Sequence, residues 1–481
     1  MKYKTVIGLE VHVQLKTKTK MFCSCSTTFG SEPNSQTCPV CLGLPGSLPV
    51  LNEEALNLGI KAALALNCKI NSKMRFDRKN YFYPDLPKDY QISQYGMPLA
   101  TGGYLDIEID GRIKRIRIRR LHLEEDAGKL IHIKEASLID FNRCGLPLAE
   151  IVSEPELDSP DEAYNYLKKL KSILKSLNIS DCNMQEGSLR CDANISVNRV
   201  ESKELGTKTE IKNMNSFKAV RDALSYEIKR QIKLLEEKNS ITQETRLWNE
   251  GKKMTFPMRS KEEAHDYRYF PEPDLPEFEI EAERLRRLKE DISRVELPDK
   301  KRDRFIRDYK LSAYEADLLT MDEAMAEFYE RCIEIGAEMG LLAKWLIGPV
   351  TSELNKRAED FFSLKLKPED LVDMINRVNQ GEISEIAAKE VVLPEIMGGE
   401  KSTAEVLKEK DITQISDSQQ LNEIIERIIR ENPKPIEDYK QGKKNALMFL
   451  IGQVMKETRG KANPKVVSEL LTKKLEEDRS K

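Results

Sequence analysis

The chain has 481 residues, 40% hydrophobic and 33% charged, with a mean hydropathy of −0.54. That composition fits a globular chain of two to four domains, and no apolar run approaches the roughly 18–20 residues of a membrane span. Basic residues number 78 against 81 acidic ones, a net charge of −3, which excludes nucleic-acid binding by bulk charge but not by a local patch.

The opening, MKYKTVIGLEVHVQL, alternates apolar and polar residues and predicts a strand, not a signal peptide. With nine cysteines, an odd number, the chain is expected in a reducing, cytoplasmic compartment. On the first strand Ile7, Leu9, Val11, Val13 and Leu15 share one face, while Gly8, Glu10, His12 and Gln14 share the other. Period-2 geometry sets the Glu10 carboxylate and the His12 imidazole about 7 Å apart on one surface. Cys23 and Cys25, then Cys38 and Cys41 followed by Leu-Gly-Leu-Pro-Gly, have the spacing of a zinc knuckle. Two thiolate pairs close a tetrahedral site with no open position, so the zinc would be structural. The other five cysteines are expected to pack.

Helices are predicted near 53–66, 159–177 and 216–238, the second opening on Ser159-Pro160 and the third on Ser216. Between the first two, RLHLEEDAGK alternates His122 and Glu124 with Leu123 and Glu125 before a turn at Gly128. Between the last two, SLRCDANISV sets Leu189, Cys191, Ala193, Ile195 and Val197 against Ser188, Arg190, Asp192, Asn194 and Ser196, and KTEIKN places Lys208, Glu210 and Lys212 together. A wetted sheet face accounts for any one such strand. Together they offer carboxylates and imidazole for a divalent cation, Mg2+ or Mn2+, and Arg, Lys, Ser and Asn for phosphate oxygens. Nucleotide loops of the G-x-x-x-x-G-K-[ST] or G-x-G-x-x-G kind are missing, as is the G-x-S-x-G of an esterase or amidase.

Strand alternation stops near residue 298, and charged helical pattern runs to the end. The expected class is α+β: a mainly antiparallel sheet domain at 1–295, an all-helical domain at 296–405 and a small helical tail at 406–481. From 440 to 481, eleven basic residues face five acidic ones, a local balance of +6.

VIGLEVHVQL, FDRKNYFYPDLPKDYQISQY (76–95), HLEEDAGK, EGSLRCDANISV, DYRYFPEPDLP and GQVMKETRGKANP (452–464) together resemble the B subunits of the tRNA-dependent amidotransferases, across almost the whole chain. The resemblance implies a cradle domain, a helical domain and a helical tail. It implies an ATP- and Mg2+-dependent enzyme that phosphorylates the side-chain carboxylate of Glu-tRNA(Gln) or Asp-tRNA(Asn). Ammonia from a glutaminase A subunit then displaces the phosphate, and a small C subunit completes a heterotrimer. Carried over, Glu10, His12 and Glu125 would hold Mg2+, with Glu124 and Asp192 close by. Lys79, Ser188, Arg190, Asn194, Glu210 and Lys212 would contact ATP, and the tail residues Lys443, Lys444, Arg459, Lys461 and Asn463 would contact tRNA. The competing reading is a noncatalytic, zinc-stabilised tRNA-binding adaptor, which leaves the acids and His12 unexplained.

Overall fold

The first strand, β1 (Tyr3–Gln14), buries Ile7, Leu9, Val11 and Val13 at 1% exposure or less while its alternate residues stay on the other face. Each such aliphatic side chain contributes roughly 1.5–3 kcal/mol on full burial, which pins the strand's facing. The structure, a computed structural model, describes residues 2–109, 111–258, 267–357, 359, 361–410, 412, 418–440, 445–458 and 464–477. It divides into two compact units, Met1–Pro298 and Asp299–Lys481.

In the first unit, β1 sits at the centre of a nine-stranded sheet. Its other strands are β2 (Lys69–Ile70), β3 (Ala100–Ile109), β4 (Arg112–Glu125), β5 (Pro147–Ser153), β6 (Leu189–Arg199), β7 (Thr209–Lys212), β8 (Glu244–Asn249) and β9 (Met254–Pro257). The order across the sheet is β9-β8-β7-β6-β1-β5-β4-β3-β2. Neighbours are antiparallel except β7 and β8, which are parallel and need a crossover. Helix α3 (Phe217–Glu236) supplies it, after α1 (Glu53–Ala65) and α2 (Pro160–Ser176).

All three helices start on the side chains that free backbone N–H groups require. Asn52 accepts from Glu54 and Ala55, Ser159 from Glu162, and Ser216 from Ala219. Their apolar stripes join the inner face of the sheet in one core that includes Leu56, Tyr166, Leu170, Val220 and Leu224. The sheet's other face therefore carries the polar alternates.

Strand β4 departs from simple alternation. Ile116 and Ile118 are buried in the core, then Leu121 and Leu123 are, and the pairing with β5 slips by a residue between Val152 and Ser153. This β-bulge at Arg119 reverses the parity of the strand, so that Arg120, His122 and Glu124 share the polar face.

The second unit is helical throughout its described residues. One apolar core gathers Phe305, Tyr329, Trp345, Leu346, Leu371 and Ile375, and takes in Val406 and Leu407 from helix Thr403–Lys410. That core thus extends past residue 405, where the sequence placed a boundary. A second, smaller core joins Leu421, Ile425, Leu450, Val454, Val467 and Leu471. No described helix is long and apolar enough to cross a membrane.

Candidate active site

Pairing across β1, β5 and β4 aligns His12 with Glu150 and Glu150 with His122, one residue per strand, on the polar face. Glu124 lies two residues beyond His122 and completes the group. His12 Nε2 is 3.4 Å from Glu150 Oε2 and 3.5 Å from Glu124 Oε1. His122 Nε2 is 3.1 Å from Glu150 Oε2 and 3.7 Å from Glu124 Oε2. Ser93 Oγ donates to Glu124 Oε2 at 3.0 Å.

His122, Glu124 and Glu150 are buried, so their charges are strongly interdependent. Burial opposes ionisation of both carboxylates. The charge of His122 and a hydrogen bond from His12 still hold Glu150 well below the usual carboxylate range, and a hydrogen bond from His122 holds Glu124 below it. Burial likewise opposes protonation of His122, yet the charge of Glu150 and hydrogen bonds to both acids push it up to about 9. His12 is raised by the same acids against its own burial.

One ligand atom each from His12, Glu124 and Glu150 lie within 4.8 Å of one another. Two buried carboxylates and an imidazole suit Mn2+, and Mg2+ with water filling the remaining positions. Protonated histidines answer the same two acids electrostatically.

Beside this group, Asn194 Nδ2 donates to Glu10 Oε1 at 2.9 Å. Burial, then the charges of Glu150, Glu210 and Asp192, push Glu10 above its usual range. Lys212 Nζ bridges Asp192 (2.8 Å) and Glu210 (3.1 Å), and Arg190 Nη2 pairs with Asp126 at 2.9 Å. Most residues expected to contact ATP thus border the cation group. Lys79, on strand Asp77–Asn80, lies over the Tyr267 ring at 5.0 Å. Ser188 Oγ accepts from Asn183 N at 2.7 Å and donates to its carbonyl at 3.2 Å, closing a turn.

The expected cation ligands Glu10, His12 and Glu125 are not brought together. Glu125 points to the opposite side of β4, where Lys88 Nζ lies 2.5 Å away and Ile92 N donates to it at 2.9 Å. Glu124, expected close by as a catalytic residue, stands with His12 instead, and Glu10 lies with the acids beside the group. Glu150 and His122 were absent from the expected ligand set. The signal for Glu150 is a lone carboxylate inside PLAEIVS, an otherwise apolar strand. Lys443, Lys444, Arg459, Lys461 and Asn463 lie outside the described residues.

Cys23, Cys25, Cys38 and Cys41 also converge, one sulfur each within 4.8 Å of the others. Hydrogen bonding with Cys23 drives the Cys41 thiol down to about 4, and the same contact pushes Cys23 well up. Four thiols competing for protons at this spacing are what a thiophilic dication relieves, and the set fits tetrahedral zinc. The wholly buried Lys20 adds a positive charge, its Nζ 3.7 Å from Cys41 Sγ.

The chain matches a family model described as the GatB/GatE catalytic domain over residues 5–286, and one described as the GatB domain over 327–475. Among curated relatives, it is 53% identical over 478 residues to the B subunit of the aspartyl/glutamyl-tRNA(Asn/Gln) amidotransferase from Carboxydothermus hydrogenoformans, covering 98% of this chain and 99% of the relative. It is 53% identical to the protein of the same name from Caldanaerobacter subterraneus, over 99% of this chain and 100% of the relative. Identity to the Thermodesulfovibrio yellowstonii protein of that name is 52% over the same shares.

The electrostatics of the histidine–acid group set a pH dependence. A raised histidine stabilises the fold fully below its unfolded value near 6.5, and that contribution is lost as pH rises through the folded value, about 9 for His122. Held free of cations by a chelator, the chain should therefore lose stability between about pH 6.5 and 9. His122→Gln should flatten that limb. Denaturant midpoints measured across the window check this, and equal slopes for the two chains contradict it.

Proposed function

The chain belongs to the GatB/GatE family, and we propose that it is the carboxylate-activating B subunit of an aspartyl/glutamyl-tRNA(Asn/Gln) amidotransferase. Its reaction, on this reading, begins with an aspartate or glutamate misacylated on tRNA(Asn) or tRNA(Gln). The side-chain carboxylate attacks the γ-phosphorus of ATP and ADP departs, giving an acyl phosphate. Ammonia, released from glutamine by a partner A subunit, displaces inorganic phosphate and leaves the amide. A small C subunit would complete the heterotrimer, in the cytoplasm.

The observation that carries this reading is the His12–Glu124–Glu150 group on the polar sheet face, its two carboxylates buried and its imidazole partly exposed. Mg2+ held there would offset repulsion between the attacking carboxylate and the phosphates. His122 orients both acids from the side away from His12. Lys212 and Arg190, now paired with Asp192 and Asp126, are the cations on this reading that phosphate oxygens would share. An adaptor without chemistry would have no reason to bury two carboxylates, a costly arrangement unless it serves a ligand. The four-cysteine site is read as structural zinc, with four ligands and no open position for the reaction.

Three outcomes test this reading. Glu124→Gln or Glu150→Gln should each lower ATP-dependent transamidation about a hundredfold, the several kcal/mol of a lost charged cation ligand, while glutamine hydrolysis by the assembled partner continues. Glu125→Gln should leave cation affinity near normal. Near-normal transamidation by both Glu124→Gln and Glu150→Gln at limiting Mg2+ would discard the cation site.

Metal analysis should find one zinc per reduced chain. Stripping it, or Cys38→Ser, should lower the melting temperature of the first unit more than it alters turnover at permissive temperature. A zinc-free chain of unchanged stability contradicts the structural role.

For the tail, Arg459→Ala with Lys461→Ala should raise KM for charged tRNA and reduce the salt slope of binding by about 2, with no change in ATP affinity. Unaltered tRNA binding at matched salt would remove the tail from the interface.

A further inference from the structure

On β4 the basic side chains from Lys114 to Arg119 are answered in turn by acids: Lys114 by Asp158 and Glu162, Arg115 by Asp106, Arg117 by Glu156 and Arg119 by Glu154. Arg112, at the strand's exposed start, needs no partner beyond water, and Arg120 is the departure among the partly buried ones. The bulge turns it onto the polar face with His122 and Glu124, its Nε is buried without a hydrogen-bond partner, and no carboxylate among the described residues pairs with it. A guanidinium N–H withdrawn from water and left unpaired is costly, so it marks a place where an anionic ligand completes the site.

Next to it stands an aromatic stack. Tyr95 and Tyr269 lie parallel, centroids 4.2 Å apart and planes 9° apart. Tyr269 also meets Tyr267 edge-on. The chain leading into Tyr95 is fastened to β4 at the acids, Ser93 Oγ donating to Glu124 Oε2 at 3.0 Å and Leu123 N to Gln94 Oε1 at 3.0 Å, which sets the stack beside them. Tyr95 is 56% exposed. The backbone at both rings is anchored: Tyr95 N donates to the buried Asp77 at 2.9 Å, and Asn80 Nδ2 donates to the carbonyl of Arg268, the residue before Tyr269, at 2.9 Å.

We propose that Arg120 and the Tyr95–Tyr269 stack form the receptor for the aminoacyl-adenosine end of the tRNA, Arg120 taking the side-chain carboxylate and Tyr95 the adenine. This rests on the function proposed above and names the part of the site that selects the substrate. In an aminoacyl ester the α-carboxyl is esterified, so the side-chain carboxylate is the amino acid's only anion. Entering beside Glu124 and Glu150, it meets two like charges, and Arg120 supplies the opposing one with a geometry suited to carboxylate. The amide product carries no charge and loses that contact, which favours its release. Adenine, a few bonds away through the ribose, stacks on a tyrosine face without hydrogen-bond readout.

The test uses the full-length chain, calorimetry, and three probes: a hydrolysis-resistant 3′-amide analogue of glutamyl-adenosine, its glutaminyl counterpart, and a nonhydrolysable ATP analogue with Mg2+. Arg120→Gln should weaken the glutamyl probe about ten- to hundredfold and leave the glutaminyl and ATP probes essentially unchanged. Tyr95→Ala should weaken both aminoacyl probes about tenfold, and Tyr95→Phe should restore them. If Arg120→Gln instead weakens ATP and spares the glutamyl probe, Arg120 binds phosphate and the proposal is overturned. It is overturned too if the parent chain binds ATP but not the glutamyl probe, an outcome that leaves the cation-site reading intact. The converse, losses as expected here with near-normal transamidation by Glu124→Gln and Glu150→Gln, discards that reading alone.

Discussion

Register among three antiparallel strands holds the site together. β1, β5 and β4 each give one side chain to the row His12, Glu150, His122, and each strand's facing is fixed by aliphatic residues buried on the other side. A slip of one residue in any strand would send its member of the row into the core and an aliphatic side chain into the site. The positions of the chemistry are therefore secured by hydrophobic burial under α1, α2 and α3, while its charges are free to be chosen for function.

Those charges are expensive to bury, and their arrangement shows how the expense is limited. Glu124 and Glu150 share two imidazoles, Glu125 has Lys88 on the opposite side, and Asp126 has Arg190. Three consecutive acids at the end of β4 thus have three separate cationic partners, on both sides of the sheet. Only the first belongs to the histidine row. Such a run reads as one acidic cluster in sequence, and the fold resolves it into distinct electrostatic settings.

This explains what was legible beforehand. The apolar faces of β1 and β6, the caps at Ser159 and Ser216 and the four-cysteine spacing depend on local periodicity or local hydrogen bonds, and sequence carries these directly. Family resemblance led to Glu125 as a ligand, although alternation alone put Glu124 on the face of His122. Glu150 lay beyond reach because its significance comes from two neighbours distant in the chain, and the strand around it reads as buried and apolar. The bulge at Arg119 left one local mark, the Arg119-Arg120 doublet across which the apolar positions pass from Ile116 and Ile118 to Leu121 and Leu123, and reading His122 and Glu124 from the segment after it passed that break by.

The bulge also bears on how a strand so rich in arginine brings one guanidinium, Arg120, into line with His122 and Glu124. Before it, the strand's outward arginines pair with the acids of Glu154 and Glu156 and serve the surface. Without the extra residue, the pattern that buries Ile116 and Ile118 would carry Arg120 into the core and expose Leu121 and Leu123 to the site. Inserting Arg119 preserves burial on both sides of the irregularity and, by the same displacement, delivers Arg120, His122 and Glu124 to one surface. A local defect in pairing is thus what lets a single strand act as solvated edge at one end and as the wall of a buried ionic site at the other.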